Sequence, residues 1–329
     1  MLAYIGRRII MMIPTLFAIS LVSFAVIQLP PGDFLTTYAA GLSDQGEEIE
    51  EHVLESLRAR YGLNQPVYVQ YLKWMRNIFQ GDFGYSFDWQ VPVIELIGQR
   101  LALTFVLSLS TLLFIWVIAF PVGVYSAVKQ YSLGDYIATF VSFLGRSIPN
   151  FLLALVLLWI AFAYFGQSVG GLFSPEYEEA PWSWAKIWDL LKHIWIPMIV
   201  LGTGGTAGLI RIMRANLLDE LHKPYVLTAR SKGLSETRLL IKYPVRAALN
   251  PFVSTLGWQL PGLVSGSSII AIVLNLPTTG PLLLKALRAQ DMYLAGSFIL
   301  ILSALTVIGT LISDLLLAAL DPRIRLGKG

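Results

Sequence analysis

Long runs of apolar residues, separated by shorter polar segments, are the dominant pattern of this chain. Runs of spanning length lie at residues 9–29, 101–128, 135–165, 194–215, 252–276 and 294–320. A helix that crosses a bilayer needs about 20 consecutive, predominantly apolar residues. The pattern therefore predicts an all-α polytopic membrane protein with six transmembrane helices. Pro149 is a place where the helix of the third run can break, since proline removes a backbone donor.

The basic residues predict how these helices are oriented. Arg7 and Arg8 precede the first run, and Lys129 follows the second. Further basic residues lie at the end of the fourth run, in the loop after it, and after the sixth run: Arg211, Arg214, Lys223, Arg230, Lys232, Arg238, Lys242, Arg246, Arg323, Arg325 and Lys328. All these residues fall on one side if both termini are inside, as the positive-inside rule requires. We therefore expect a multi-pass membrane protein with both termini cytoplasmic.

The same pattern divides the chain into four regions. Residues 1–30 form an N-terminal span, and residues 31–100 form a periplasmic loop in which 47–60 and 66–80 have the spacing of amphipathic helices. Residues 101–320 form the core transmembrane domain, which includes a cytoplasmic loop at 217–246, and 321–329 form a cytoplasmic tail. The second outer segment, 166–193, and its border carry residues typical of a membrane interface: Trp182, Trp184, Trp188 and Trp195.

Composition agrees with a membrane protein and excludes several functions. Hydrophobic residues make up 55% of the 329 residues and charged residues only 14%, against about 25% charged in ordinary soluble domains. The net charge of +3 is small and dispersed, so it gives no support for nucleic-acid binding. The chain has no cysteine, which excludes disulfides, thiolate metal sites and a cysteine nucleophile.

Two glycine-rich stretches in the predicted spans have a packing interpretation. The residues concerned are Gly202, Gly204, Gly205, Gly208, Gly262 and Gly266. The first stretch lies in an apolar run and no strand precedes it, so its glycines do not indicate a dinucleotide-binding site. Small residues let helices approach closely in lipid, so we expect the fourth and fifth spans to pack tightly, with these glycines serving helix packing or lining a path between the helices.

An enzymatic function has little support in the sequence. Gly266-Ser267-Ser268-Ile269 resembles a Gly-x-Ser-x sequence, but a serine nucleophile needs a base within hydrogen-bond reach. His52, His193 and His222 lie in loops or at a span edge and far apart in sequence, so they predict neither a catalytic base nor a metal site.

The loop between the fourth and fifth spans has the pattern of a short, capped helix. Pro224 suits the first turn of a helix, and Gly233 suits a left-handed residue just after its end. Tyr225, Val226 and Ala229 would form an apolar patch fitted to a groove on another protein. From the spacing alone, a docking helix and a solvated basic loop are both compatible with this segment.

The residues of this loop resemble the coupling-helix signature, or EAA loop, of ABC importer permeases in its dipeptide/oligopeptide form. The matching run is Tyr225-Val226-x-Thr228-Ala229-Arg230-Ser231-Lys232-Gly233-Leu234-Ser235, with Leu227 at the glutamate position and Thr228 at the first alanine position. Other matches extend over nearly the whole chain, among them Gly81-Asp82-Phe83-Gly84-Tyr85-Ser86, Ser147-Ile148-Pro149-Asn150-Phe151 and Asp321-Pro322-Arg323.

The resemblance implies the type I permease fold of ABC importers and a division of labour among subunits. A periplasmic or lipid-anchored solute-binding protein would deliver solute to a heterodimer of this permease and a second one, and two ATPase subunits would receive the coupling helices. The family's coupling residues carry over to Tyr225, Val226, Thr228, Ala229, Arg230, Lys232, Gly233 and Leu234. ATP and magnesium would bind the ATPases, because this chain has no phosphate-binding loop.

The solute and the energy source each have an alternative. The family often has a glutamate and a phenylalanine near the outer end of the fifth span, where this chain has Ala271 and Leu274. Peptides are the first expectation, and the missing acid favours an oligosaccharide as the alternative. A secondary transporter is a distant alternative, because such proteins tend to show internal repeats and midplane charges, and this sequence has no repeat and few such charges.

Overall fold

The structure is a computed structural model, and it describes residues 2–28, 55, 64–86, 89–166, 170–255, 268–289 and 291–320. Helices dominate these residues. In chain order they are α1 (Leu2–Gln28), α2 (Val67–Phe79), α3 (Val93–Val128), α4 (Leu133–Ser147), α5 (Asn150–Phe165), α6 (Trp184–His193), α7 (Trp195–Leu221), α8 (Pro224–Ser231), α9 (Glu236–Lys242), α10 (Pro244–Ser254), α11 (Ser268–Val273), α12 (Thr279–Arg288) and α13 (Met292–Leu320). A 3-10 turn lies at Pro175–Tyr177, and β1 (Tyr85–Ser86) pairs with β2 (Val91–Pro92) in an antiparallel hairpin.

Four helices of the described residues are long and apolar enough to cross a membrane. The qualifying stretches are Ile5–Gln28, Val93–Val128, Trp195–Leu221 and Tyr293–Ile312. They correspond to the first, second, fourth and sixth predicted spans. The fifth predicted span, 252–276, contains residues 256–267, which lie outside the described residues. The number of six spans therefore stays a prediction.

The third predicted span, 135–165, is not one straight helix. It consists of α4 and α5, which meet at an angle of 102°. Ile148 has an extended backbone (φ −77°, ψ 123°), and Pro149 lies between the two helices. The residue before a proline is sterically driven out of the helical region, so the break occurs where the sequence allows it. Counted as one broken span, this pair is the fifth candidate.

The described residues fall into two compact units. Among these residues, the first unit lies within 2–104 and 278–308, and the second lies within 105–277 and 309–320. In the first unit, Phe24 of α1 packs with Trp74 of α2 and with Tyr293 and Leu300 of α13. The predicted amphipathic helix at 66–80 is thus present as α2. Its apolar residue Phe79 is 83% exposed and lies outside the side of the helix that packs through Trp74. The helix predicted at 47–60 lies, except for Glu55, outside the described residues.

The hairpin of the first unit is attached to the start of α13. Ser86 is fully buried, and its hydroxyl donates to Asp291 Oδ2 at 2.5 Å. The other carboxylate oxygen of Asp291 accepts from the Leu294 backbone N–H at 3.2 Å, which is the bond of an N-terminal cap. The hydroxyl of Ser297 donates to Phe83 O at 3.0 Å. These bonds join two stretches that are about 200 residues apart in the sequence and hold the hairpin in place.

The core of the second unit is formed by α3, α7 and α10. Met213, Leu217 and Phe252 are completely buried there, and the Phe252 ring lies 5.0 Å from the Trp116 ring in an edge-on arrangement. Full burial of such side chains stabilises a fold by about 1.5–3 kcal/mol each. Since α7 carries three buried side chains of this core close to its C-terminal end, the segment that follows starts from a firmly packed helix.

Candidate functional site

The segment after α7 has the backbone that its sequence predicts. The helix α8 begins at Pro224, and Lys223 precedes it with an extended backbone. It ends at Ser231, and Gly233 has a φ of +78°. A left-handed residue just past a helix end is the usual place for glycine, because other residues suffer a steric clash of their Cβ in this conformation. We call residues 220–243 the coupling segment.

The apolar side of α8 packs on its own chain. Val226 is fully buried and Ala229 is 6% exposed, and both contact Leu239 of α9, with Leu234 and Tyr243 beside them. The two side chains are thus buried within this chain, and the expectation that they take part in docking on a partner stays a prediction. Their three-residue spacing places them on one side of α8, and α9, which starts after Ser235, folds back to cover that side.

The outward side of α8 consists of other residues. Leu227 is 55% exposed, and Thr228, Arg230, Lys232 and Gly233 are also exposed. Tyr225 is 38% exposed at the edge, and Leu234 is half-buried. Of the coupling residues that the sequence predicts, Thr228, Arg230 and Lys232 give this side one hydroxyl and two basic side chains, and the neighbouring Leu227 adds an apolar one.

Two ionic contacts stiffen the coupling segment. The Arg230 guanidinium donates to both carboxylate oxygens of Glu236, at 2.6 and 3.0 Å. This bidentate bond joins α8 to α9, and Arg230 lowers the pKa of the Glu236 carboxyl while its own pKa is raised. Exposed ion pairs contribute little to the free energy of unfolding. The bidentate bond between Arg230 and Glu236 does restrict the direction in which α9 follows α8.

The second contact joins the end of α7 to the start of α8. Glu220 accepts hydrogen bonds from Lys223 Nζ at 2.6 Å and from the Tyr225 hydroxyl. Partial burial, followed by the hydrogen bond to Glu220, raises the pKa of Tyr225 to about 12. Tyr225 is therefore a protonated donor throughout the physiological range. The contact fixes the angle at which α8 leaves α7.

A buried ion pair not predicted from the sequence holds α4 against α7. Asp135 is 2% exposed and accepts from Arg214 Nε at 2.9 Å and from Arg214 Nη2 at 2.8 Å. The backbone N–H of Tyr131 also donates to this carboxylate, at 3.0 Å. Bidentate pairs of this kind are the stronger ion pairs of proteins. The sequence shows Arg214 among the basic residues, but no local pattern indicates a partner 79 positions away.

Two of the four glycines singled out in α7 lie against α3. A Cβ at Gly202 would lie 2.7 Å from the Phe114 ring, and one at Gly205 would lie 2.8 Å from Ile115, both on α3. At Gly204 and Gly208 a Cβ would meet no described atom within 4 Å. Gly262 and Gly266 lie outside the described residues, so the predicted packing of the fourth and fifth spans stays a prediction.

An apolar cavity of about 530 Å³ lies between α3, α4 and α7. Phe114, Val141 and Ile210 are among its lining residues, and Thr206 contributes a hydroxyl that has no hydrogen-bond partner among the described residues. In the same described part of the chain, no group of three histidine or carboxylate side chains could hold a metal ion.

Comparison with known proteins identifies the family of the chain. The family profile described as "Binding-protein-dependent transport system inner membrane component" matches residues 119–326, and the profile of the corresponding N-terminal region matches residues 1–109. The oligopeptide transport system permease protein AppB of Bacillus subtilis is 38% identical over 326 residues, which cover 98% of this chain and 99% of AppB. The dipeptide transport system permease protein DppB of Alkalihalophilus pseudofirmus is 31% identical over 342 residues, covering 99% and 100%.

The fold has a solved counterpart. A chain of the MetNI methionine ABC transporter in an inward-facing conformation aligns with a TM-score of 0.51, covering 69% of this chain and 97% of that one. The sequences are 17% identical, so this likeness concerns the fold, which is the type I permease fold expected from the sequence. The two family profiles and the full-length relatives lead to one conclusion: this chain is a permease subunit that belongs to the family of binding-protein-dependent ABC transport system inner membrane components.

Proposed function

We propose that this permease takes part in the import of oligopeptides or dipeptides. The observation that carries this proposal is the full-length similarity to permeases named for oligopeptide and dipeptide transport, at 38% and 31% identity. The chain is a transport component rather than a catalyst, and it supplies helices around which solute moves. We infer that ATP and magnesium are bound by separate ATPase subunits.

We do not favour the oligosaccharide alternative, because the residues on which it depends are buried. That alternative depends on the uncharged residues Ala271 and Leu274 near the outer end of the fifth predicted span. Ala271 is 8% exposed and Leu274 is 1% exposed within this chain. The backbone N–H of Gly171 donates to Leu274 O at 2.7 Å, so the segment at Gly170 and Gly171 lies directly on it. Buried side chains such as these report packing and give no information about the charge of the solute.

The partners follow from the same proposal. A second permease completes the pathway as a heterodimer with this chain, two ATPases bind at the cytoplasmic face, and a periplasmic or lipid-anchored binding protein delivers solute. We place the chain in the inner membrane with both termini cytoplasmic, because the basic residues then lie inside. The coupling segment supports this arrangement, since its exposed Leu227, Thr228 and Arg230 form a compact surface on a short, well-packed helix.

The decisive experiment uses the assembled transporter and its binding protein. The co-encoded binding protein is screened by calorimetry against di- and oligopeptides and against neutral oligosaccharides. The best ligand is then tested for stimulation of ATP hydrolysis by the complex in proteoliposomes. We expect peptide binding and a peptide-dependent rise in ATPase rate. Binding of oligosaccharides alone, with matching stimulation, would replace the peptide proposal by the alternative from the same family.

A further inference from the structure

Helix α6 presents an apolar side to its surroundings. Trp184, Ile187, Trp188 and Leu191 follow the spacing i, i+3, i+4, i+7 and therefore lie along one side of the helix. Their exposed fractions are 87%, 38%, 63% and 55%. We call these four residues the tryptophan stripe. A helix on the surface of a soluble domain has the opposite arrangement, with its apolar side toward the core.

The charged side of α6 faces the interior of the second unit. Lys186 is 6% exposed, and its Nζ donates to the carbonyl oxygens of Glu178 and Ala180 at 3.2 and 2.6 Å. The same ammonium group lies 4.9 Å from the centre of the Phe173 ring. These contacts satisfy a buried cation and hold the segment before α6 against the helix.

Asp189 is fixed in a similar way. It is 7% exposed and accepts from the backbone N–H and the hydroxyl of Ser174, both at 2.7 Å. His193 lies one turn further on, with its Nδ1 at 2.8 Å from Asp189 O. Rotating α6 to bury the tryptophan stripe would break the bonds of Lys186 and Asp189 to the preceding segment, whereas the bond between His193 and Asp189 lies within the helix. The outward orientation of the stripe is therefore set by the polar contacts on the opposite side.

The position of α6 along the chain places it next to the bilayer. The helix ends at His193, and α7, which is apolar enough to cross a membrane, begins at Trp195. Only Ile194 separates them, so α6 lies at the level where the membrane-spanning helix leaves the hydrocarbon. Tryptophan is enriched at this level because its ring is largely apolar and its N–H can bond to water or headgroups.

We propose that α6 lies in the headgroup layer of the outer leaflet and that the tryptophan stripe contacts lipid. The four side chains of the stripe are uncharged, the exposed Lys192 lies next to them on α6, and the helix that follows directly is apolar enough to cross a membrane. A solute-binding protein that visits the outer face must leave again in each transport cycle, which would return four large apolar side chains to water. Lipid covers the stripe at every stage. The helix thereby anchors residues 173–182 to the membrane surface through Lys186 and Asp189.

The absence of cysteine from the chain makes a direct test simple. Single cysteines at Trp184, Trp188 and Leu191 are spin-labelled in the assembled transporter in lipid nanodiscs, and collisions with oxygen and with a nickel chelate are measured. Glu176 and Glu179, which are exposed on the preceding segment, are the matched controls. We expect oxygen collisions to dominate at the three stripe positions and nickel collisions to dominate at the two controls.

Three outcomes would overturn the proposal. Dominant nickel collisions at the stripe would place it in water. Low collision rates with both reagents before any addition would show that a second subunit covers it. High nickel collisions that fall only when the binding protein is added would identify a protein docking surface. The measurement does not depend on transport. A result that overturns the lipid contact of the stripe therefore leaves the proposed import function intact, and a failure of the import proposal leaves the lipid contact intact.

Discussion

At the scale of single residues, the two sides of α8 have different roles. Ala229 faces Leu239 in the chain's own core, whereas its neighbour Thr228 faces outward, with its hydroxyl donating to Pro224 O at 3.0 Å. The same substitution at the two positions therefore separates folding of the coupling segment from docking of its surface.

We expect Ala229→Asp and Thr228→Asp both to abolish solute-stimulated ATPase activity, for different reasons. Aspartate at 229 places an unpaired charge in a buried site, at a cost of several kcal/mol, so the segment should become sensitive to limited proteolysis. Aspartate at 228 is solvated in the free subunit, so the proteolysis pattern should match the wild type while the ATPase subunits no longer copurify. Full assembly and full stimulation by Thr228→Asp would show that this surface is not the docking surface.

Gly233 offers a second test at this scale. Its φ of +78° costs a non-glycine residue roughly 1–2 kcal/mol, and a Cβ there would meet no described atom within 4 Å. The conformation alone therefore decides the outcome. We expect Gly233→Val to reduce coupled ATPase activity strongly and Gly233→Asn, which tolerates this conformation, to retain most of it. Equal activity of the two variants would contradict a role for the turn.

The residue at the family's glutamate position also has an explanation at this scale. Leu227 is 55% exposed, so its side chain is not part of the packing that holds α8 and α9 together. A surface position accepts a change of polarity without a change of fold. The departure of this chain from the generic motif therefore leaves the geometry of the coupling segment unaffected.

At the scale of elements, the ion pair of Asp135 and Arg214 connects two helices that could move separately. Helix α7 leads directly into the coupling segment, and α4 leads through the 102° bend into α5. Asp135 is 3% exposed in its side chain and Arg214 is 26% exposed, so the pair is shielded from salt on the carboxylate side. It is one of several contacts between α4 and α7, among them the Arg211 guanidinium 6.0 Å from the Phe143 ring, and we expect it to help pass a displacement of α7 to α4.

We expect Arg214→Ala to destabilise the protein by about 3–5 kcal/mol, because it leaves the buried Asp135 without its partner. Thermal unfolding in detergent measures this loss. The double variant D135R/R214D should recover part of the lost stability, since it restores a pair of opposite charges.

Arg214→Lys, which keeps the charge but not the bidentate geometry, should fold but show a lower ratio of solute transported to ATP hydrolysed. An unchanged ratio in that variant would restrict the pair to a structural role.

Sequence reasoning succeeded for elements whose signals are local. Pro224 and Gly233 each act on neighbouring residues, so the helix α8 follows from the sequence. The partner of Val226 and Ala229 did not follow, because an apolar patch has the same pattern whether it faces Leu239 or another protein. Arg214 and Asp135 illustrate the same limit, since their pairing depends on how α4 and α7 pack.

At the scale of the whole molecule, the apolar lengths and the basic residues together predict the topology. The described residues supply four membrane-crossing helices and one bent pair. The fifth predicted span contains undescribed residues, which is why the topology needs an experiment rather than a count.

We expect single cysteines at Ser43 and Ser183 to react with a membrane-impermeant maleimide from outside the cell, and one at Ser235 to react only after permeabilisation. Ser183 precedes α6, and Ser235 precedes α9 in the coupling segment. Labelling is read by the mass shift of the purified chain, and the cysteine-free wild type is the control. Reaction of Ser235→Cys from outside would invert the proposed orientation.

The internal packing of the coupling segment has a consequence for the kinetics of assembly. Because Val226, Ala229 and Leu239 already form a small core within this chain, and Glu220 holds Tyr225 in place, the docking surface is ordered before a partner arrives. Binding by a preformed surface avoids the entropy loss of ordering a flexible loop. We therefore expect the interface between the coupling segment and an ATPase subunit to form quickly even if it is small and polar. An ATPase subunit can then be exchanged without refolding of the permease.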